Sequence, residues 1–173
     1  MPFSLYDATV PPMVQVLGSV KRLVHKAEAH CAEQGVAEIE VIGARLAPDM
    51  LPFTYQVKST AEHSLGALDA VRAGFATPSL AAPPRTFAEL IEKVEAARSG
   101  LSALTPDEVN GWIGKDVVFE FKGTRREFLA ENFLMSYALP NFYFHAVTAY
   151  DLLRARGLAI GKKDFLGALA VKG

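Results

Sequence analysis

Apolar residues recur along most of this chain every three to four positions, the repeat of a helix that buries one face. Over residues 4–34, Val10, Met13, Val14, Leu17, Val20, Val24, Ala27 and Cys31 make one stripe, with Lys21, Arg22, Lys26 and Glu28 on the solvated side. This predicts a first long helix ended by Gly35, with Pro11 and Pro12 either in its first turn or inside a helix that starts nearer Ser4. Residues 36–46 read as a short helical connector. A second long helix is expected over residues 49–73, with Asp49 as its cap, Pro52 in its first turn, and Leu51, Phe53, Val57, Ala61, Leu65, Leu68 and Val71 on its apolar face. A proline-rich loop follows over residues 74–85. Thr86 and Glu89 then have capping-box spacing ahead of a third helical stripe built from Phe87, Leu90, Ile91, Val94, Ala97 and Leu101.

The period changes at residues 116–126. Val117, Phe119 and Phe121 alternate with Val118, Glu120 and Lys122, and Gly123 supplies a turn. This is the signature of a small β-hairpin, and Trp112 just ahead of it is the expected anchor. Helical spacing returns with Phe133, Tyr137, Phe144, Thr148 and Leu152, and it ends at Arg154, Arg156 and Gly157. In the tail, Phe165 and Leu166 are placed to pack back. The pattern therefore predicts an all-α fold in one domain, residues 1–173, with a hairpin before the last long helix.

That last helix carries Pro140 in its interior. Proline has no N–H and crowds the carbonyl four residues back, so a kink is expected and the Ser136 carbonyl needs another partner. Asn141 and His145 follow, one helical turn apart on one face. On the second helix, Asp49, Gln56 and His63 fall at seven-residue steps along one stripe beside the apolar face. His63 and His145 sit near the middle of their helices, where adjacent helices bring them across a bundle core. Two imidazoles with Asn141 or Gln56 as an oxygen ligand can hold a divalent metal such as zinc or nickel. Without metal, the same residues make a polar pocket or a hydrogen-bonded core cluster.

Composition narrows the partners. The 173 residues are half apolar and carry a net charge of −1, with no basic cluster, so a nucleic-acid partner is not suggested. One cysteine excludes an internal disulfide and a four-cysteine zinc site; Cys31 sits on an apolar stripe, as a small buried hydrophobe would. No stretch has the length of a membrane span, and the first ten residues lack the basic-then-apolar order of a signal peptide, so a cytoplasmic protein is expected. There is no phosphate-binding glycine loop, no GxSxG elbow and no HExxH motif. His25 and His30, five apart among charged residues, read as surface residues.

The strings ARLAPDMLPFTYQV (residues 44–57), TFAEL (86–90), ALPNFYFHAVTAYDLLRARG (138–157) and GKKDFLG (161–167) resemble an uncharacterised family of bacterial and fungal proteins within the DinB/YfiT-like superfamily of metal-dependent proteins. The resemblance runs over nearly the whole chain. It implies an up-down-down-up four-helix bundle, often a homodimer. It also implies a metal held by one His on the second helix and an HxxxH pair on the last. His63 matches the first position and His145 the end of the pair, but Asn141 stands where the pair begins with His. The better-understood relatives are transferases and isomerases that use low-molecular-weight thiols, so a small-molecule or thiol ligand is implied.

Two functions follow. In one, His63, Asn141 and His145 hold a metal that activates a thiol or water, while Tyr137 or Gln56 orients the substrate. In the other, the bundle has lost the metal and serves as a small-molecule binder or a dimeric interaction protein.

Overall fold

The computed structural model describes residues 4–172. The first helix, α1 (Leu5–Gln34), starts where Ser4 caps it: the Ser4 hydroxyl accepts the Asp7 N–H, and the Asp7 carboxylate accepts the Ser4 N–H. Pro11 and Pro12 thus lie inside the helix rather than in its first turn. Gly35 closes it in the left-handed conformation at φ 66°, which costs glycine nothing. The connector is α2 (Glu38–Ile42).

The second helical segment departs from expectation at both its start and its middle. It begins at Phe53, with Pro52 at the cap, and Asp49 lies in an exposed turn before it. It is also not one helix. α3 (Phe53–Glu62) stops at His63, and α4 (Leu65–Ala73) restarts after Ser64. Ser64 is buried at φ −100°, ψ −98°, and its hydroxyl donates to the Ala61 carbonyl at 2.7 Å. A serine hydroxyl bonding back to a nearby carbonyl competes with the helical ladder, which gives the break a local cause.

The chain is mostly helical rather than all-α. β1 (Phe75–Ala76) pairs in parallel with β2 (Asp116–Phe121), and β2 pairs antiparallel with β3 (Thr124–Leu129). Between these strands come α5 (Phe87–Ser102) and the short α6 (Pro106–Asn110), capped by Thr86 and Thr105. Half of the expected capping box at Thr86 forms: its hydroxyl accepts the Glu89 N–H, but Glu89 turns to the Arg85 N–H. The expected hairpin is β2–β3. Its two-residue turn, Lys122–Gly123, has both φ values positive, the type that matches strand twist. Trp112 is buried beneath it, as predicted.

The last helical run is α7 (Ala130–Phe133), a π turn (Leu134–Ala138) and α8 (Leu139–Ala155). α9 (Lys162–Leu166) follows and packs on α1, with Phe165 against Tyr150 and Lys26 paired to Asp164 at 2.7 Å.

α1 lies mainly on α5, and α3 mainly on α8; contacts of α3 with α5 and of α1 with α8 close a ring. Met13, Leu17, Phe53, Val57, Leu90, Leu101, Phe142 and Ala146 fill it. Each large apolar side chain so buried is worth about 1.5–3 kcal/mol. This core positions α3 and α8 face to face, which is what brings the candidate residues together.

Candidate functional site

His63 and His145 meet across the α3–α8 contact. Their rings are nearly parallel, at 10°, with centroids 5.5 Å apart. His63 stands at the break between α3 and α4, so its placement depends on the interruption at Ser64. His145 lies mid-way along α8, downstream of the π turn.

The backbone around Pro140 differs from a simple kink. The Leu139 N–H reaches five residues back to the Leu134 carbonyl, which widens the helix by one residue just before the proline. Such π turns recur at functional sites because they re-aim the residues that follow. Tyr137 rather than Ser136 receives the side-chain bond: the Asn141 amide nitrogen donates to the Tyr137 carbonyl at 2.7 Å. That leaves the Asn141 oxygen as the acceptor end of its amide.

Gln56 fixes the state of His145. The Gln56 amide nitrogen donates to the Leu51 carbonyl at 2.8 Å, so its oxygen is the end that faces His145 Nδ1, at 2.7 Å. A carbonyl oxygen only accepts, so Nδ1 carries the proton and Nε2 carries a lone pair. Gln56 therefore orients His145, and its oxygen is already engaged there. Burial, reinforced by His63, pushes the His145 pKa down to about 4. Burial also lowers the His63 pKa; Glu62 opposes this shift and Lys58 adds to it. Both rings are accordingly neutral at neutral pH. Among the described residues the His63 ring has no hydrogen-bond partner, although it is stacked between His145 and the edge of Tyr137.

Beside His63 lies a cavity of about 170 Å³, lined by Tyr55, Ser59, Glu62, Gly66, Ala67, Ala70, Thr77–Ser79, Phe119, Phe133 and Tyr137. Tyr137 stacks on Phe133 and leans on Phe119 and His63, so the hairpin and the π turn together form one wall. Of the residues singled out from sequence, His63 and Tyr137 face this cavity. His145 sits behind His63, Gln56 behind His145, and Asn141 one turn before His145. Asp49 is outside the group. Tyr55, Ser59, Glu62 and the loop carrying Thr77 were missed. The spacing of Tyr55, Ser59, Glu62 and His63, at i, i+4, i+7 and i+8, was the available signal.

The donor set suits a divalent ion at two points: His145 offers an oriented lone pair, and His63 offers a ring without a protein partner. The third donor is the neutral Asn141 amide. Among the described residues, no group of three or more His, Cys, Asp or Glu side chains is placed to hold a metal ion. Nor is any helix of those residues long and apolar enough to cross a membrane.

The family model for a domain of unknown function, DUF1993, matches residues 5–166. A solved structure of a DinB family member protein from Shewanella denitrificans is 26% identical to this chain; the match covers 98% of this chain and 95% of that one, with a TM-score of 0.79. No curated protein matches.

Proposed function

The chain belongs to the DUF1993 family of domains of unknown function and is a DinB-like protein, and from that premise we propose that it is a metal-dependent enzyme built on one up-down-down-up four-helix bundle. His63, His145 and Asn141 would hold the ion. Zinc or nickel suits two imidazoles better than magnesium or calcium, which prefer carboxylates. With such an ion bound, a thiol or water at the site would lose its proton more readily.

The observation that carries this reading is the state of the two rings. The Gln56 oxygen holds His145 as the Nδ1–H tautomer, the arrangement by which second-shell groups prepare a histidine ligand. The facing His63 ring lacks a protein hydrogen bond. A buried imidazole that served only the core would be expected to have one. Tyr137 would orient a small-molecule or thiol substrate, and a thiol-dependent transferase is the reaction class the superfamily suggests. Homodimer formation and a cytoplasmic location belong to the same proposal. The test is the zinc or nickel content of the protein after metal loading, compared with His63→Ala and His145→Ala.

The absence of a carboxylate or a third imidazole favours a second reading, a non-catalytic, metal-free bundle that binds a small molecule or a partner. Under that reading the protein stays folded without metal, Asn141→Leu destabilises it, and Asn141→His creates tight metal binding that the native chain lacks.

A further inference from the structure

The cavity beside His63 is rich in hydrogen-bond donors and poor in free acceptors. Ser59 lines it and is only 3% exposed, yet its hydroxyl bonds to no other residue described. No buried side-chain polar atom among the described residues lacks a partner, so this oxygen keeps its contact with solvent through the cavity. Tyr55 and Tyr137 also line the cavity, and their hydroxyls likewise make no bond within the described chain. Burial and the neighbouring Tyr55 hold Tyr137 above the ordinary tyrosine range, so it stays a proton donor. The neutral His63 ring adds another N–H.

The lining acceptor, Glu62, is already taken. Lys58 binds its Oε2 at 2.8 Å and Lys93 approaches its Oε1 at 3.5 Å, so two ammonium groups share one carboxylate. One positive charge at the cavity edge is left without a counter-charge in that trio. Lys58 is almost fully buried, and its remaining contact is the Ser79 carbonyl at 3.4 Å. The far walls are apolar, made by Phe119, Phe133, Ala67 and Ala70.

We propose that this cavity binds a small monocarboxylate, its carboxylate received by Ser59, Tyr55 and Tyr137 and its apolar body lying against Phe119 and Phe133. Unpartnered donors call for a ligand that supplies acceptors, and the surplus positive charge selects an anion over a cation. Size selects a small one: an apolar cavity of about 150 Å³ holds benzene. The site needs no metal, so it stands whether or not the His63–His145 pair takes an ion.

The experiment is a titration of chelator-treated full-length protein with benzoate, followed by amide NMR shifts, with benzylamine and toluene as controls of the same shape. Saturable benzoate binding is expected, with shifts centred on residues 55–70 and 76–79, and benzylamine and toluene at least tenfold weaker. Ser59→Ala should weaken benzoate about tenfold, since a bond to a charged acceptor is lost. Ala70→Leu, which fills the cavity, should abolish binding in a protein whose circular dichroism is unchanged. If Ala70→Leu does not fold, Tyr137→Phe replaces it, with a weakening similar to that of Ser59→Ala. The proposal is overturned by no saturation at millimolar benzoate, by equal binding of benzylamine, or by binding indifferent to Ser59→Ala. It is also overturned if benzoate binds only after zinc is added, because the carboxylate would then sit on the ion. Failure of zinc uptake in the same sample sinks the metal reading alone.

Discussion

The Gln56 oxygen lies 2.7 Å from Nδ1 of His145, and the same amide is held from its other end by the Leu51 carbonyl at 2.8 Å. This pair ties the chemical state of a residue on α8 to the packing of α3. Replacing Gln56 with Leu removes the acceptor. The His145 ring should then populate both neutral tautomers, seen as converging imidazole ¹⁵N shifts, and stability should fall by about 1–3 kcal/mol, the usual cost of a buried donor left unpaired.

Acid should loosen the site before it unfolds the chain elsewhere. His145 has its folded pKa depressed from the ordinary 6.5 to about 4, and His63 shifts in the same direction. Between those values the unfolded chain binds more protons than the folded one, so stability falls as pH drops from about 6.5 towards about 4. Above 6.5 these groups impose no pH dependence. Urea midpoints at pH 7, 5.5 and 4.5 check the slope, and His145→Phe should flatten it.

The Lys58–Glu62 pair is asymmetric, with the lysine side chain 2% exposed and the carboxylate 26%. Glu62→Gln leaves the buried ammonium without its counter-charge and should cost about 3 kcal/mol. The double variant Lys58→Met, Glu62→Gln should recover most of that loss. Equal destabilisation of the single and double variants in chemical denaturation would show that the pair is not the source.

Gly66 sits in α4 at the cavity with open space where a Cβ would be. Alanine there meets nothing and lowers the entropy of the unfolded chain, so Gly66→Ala should raise stability by about 0.5–1 kcal/mol. A lower melting temperature would mean that the restart of the helix after Ser64 needs glycine.

Long amphipathic helices were readable from sequence because burial imposes their period directly. α1, α5 and α8 carry that period without interruption, and the alternation at Val117–Phe121 marked the hairpin just as directly. What the pattern hid were the departures from regularity. The stop at His63 arises from one serine bonding to the Ala61 carbonyl, a contact that leaves the apolar spacing of Val57, Ala61 and Leu68 intact. Pro140 signalled a disturbed backbone, but whether a proline kinks a helix or follows a π turn is decided by the packing of Tyr137 against Phe119 and Phe133. β1 has two residues, too short for any period, and exists only because β2 is beside it. The same reasons made the site half legible. His63 and His145 were visible as polar residues on apolar helices. Ser59 and Lys58 read as ordinary surface residues until the loop at Thr77–Ser79 covered them.

Metal affinity of the His63–His145 pair tests the account most directly. Zinc is titrated calorimetrically at neutral pH into chelator-treated wild type, His63→Ala, His145→Ala and Asn141→His. The account predicts one saturable site per chain in the wild type, at least tenfold weaker binding in either alanine variant, and tighter binding in Asn141→His, where an imidazole replaces a neutral amide. No uptake by the wild type, or uptake unaltered in both alanine variants, would contradict it.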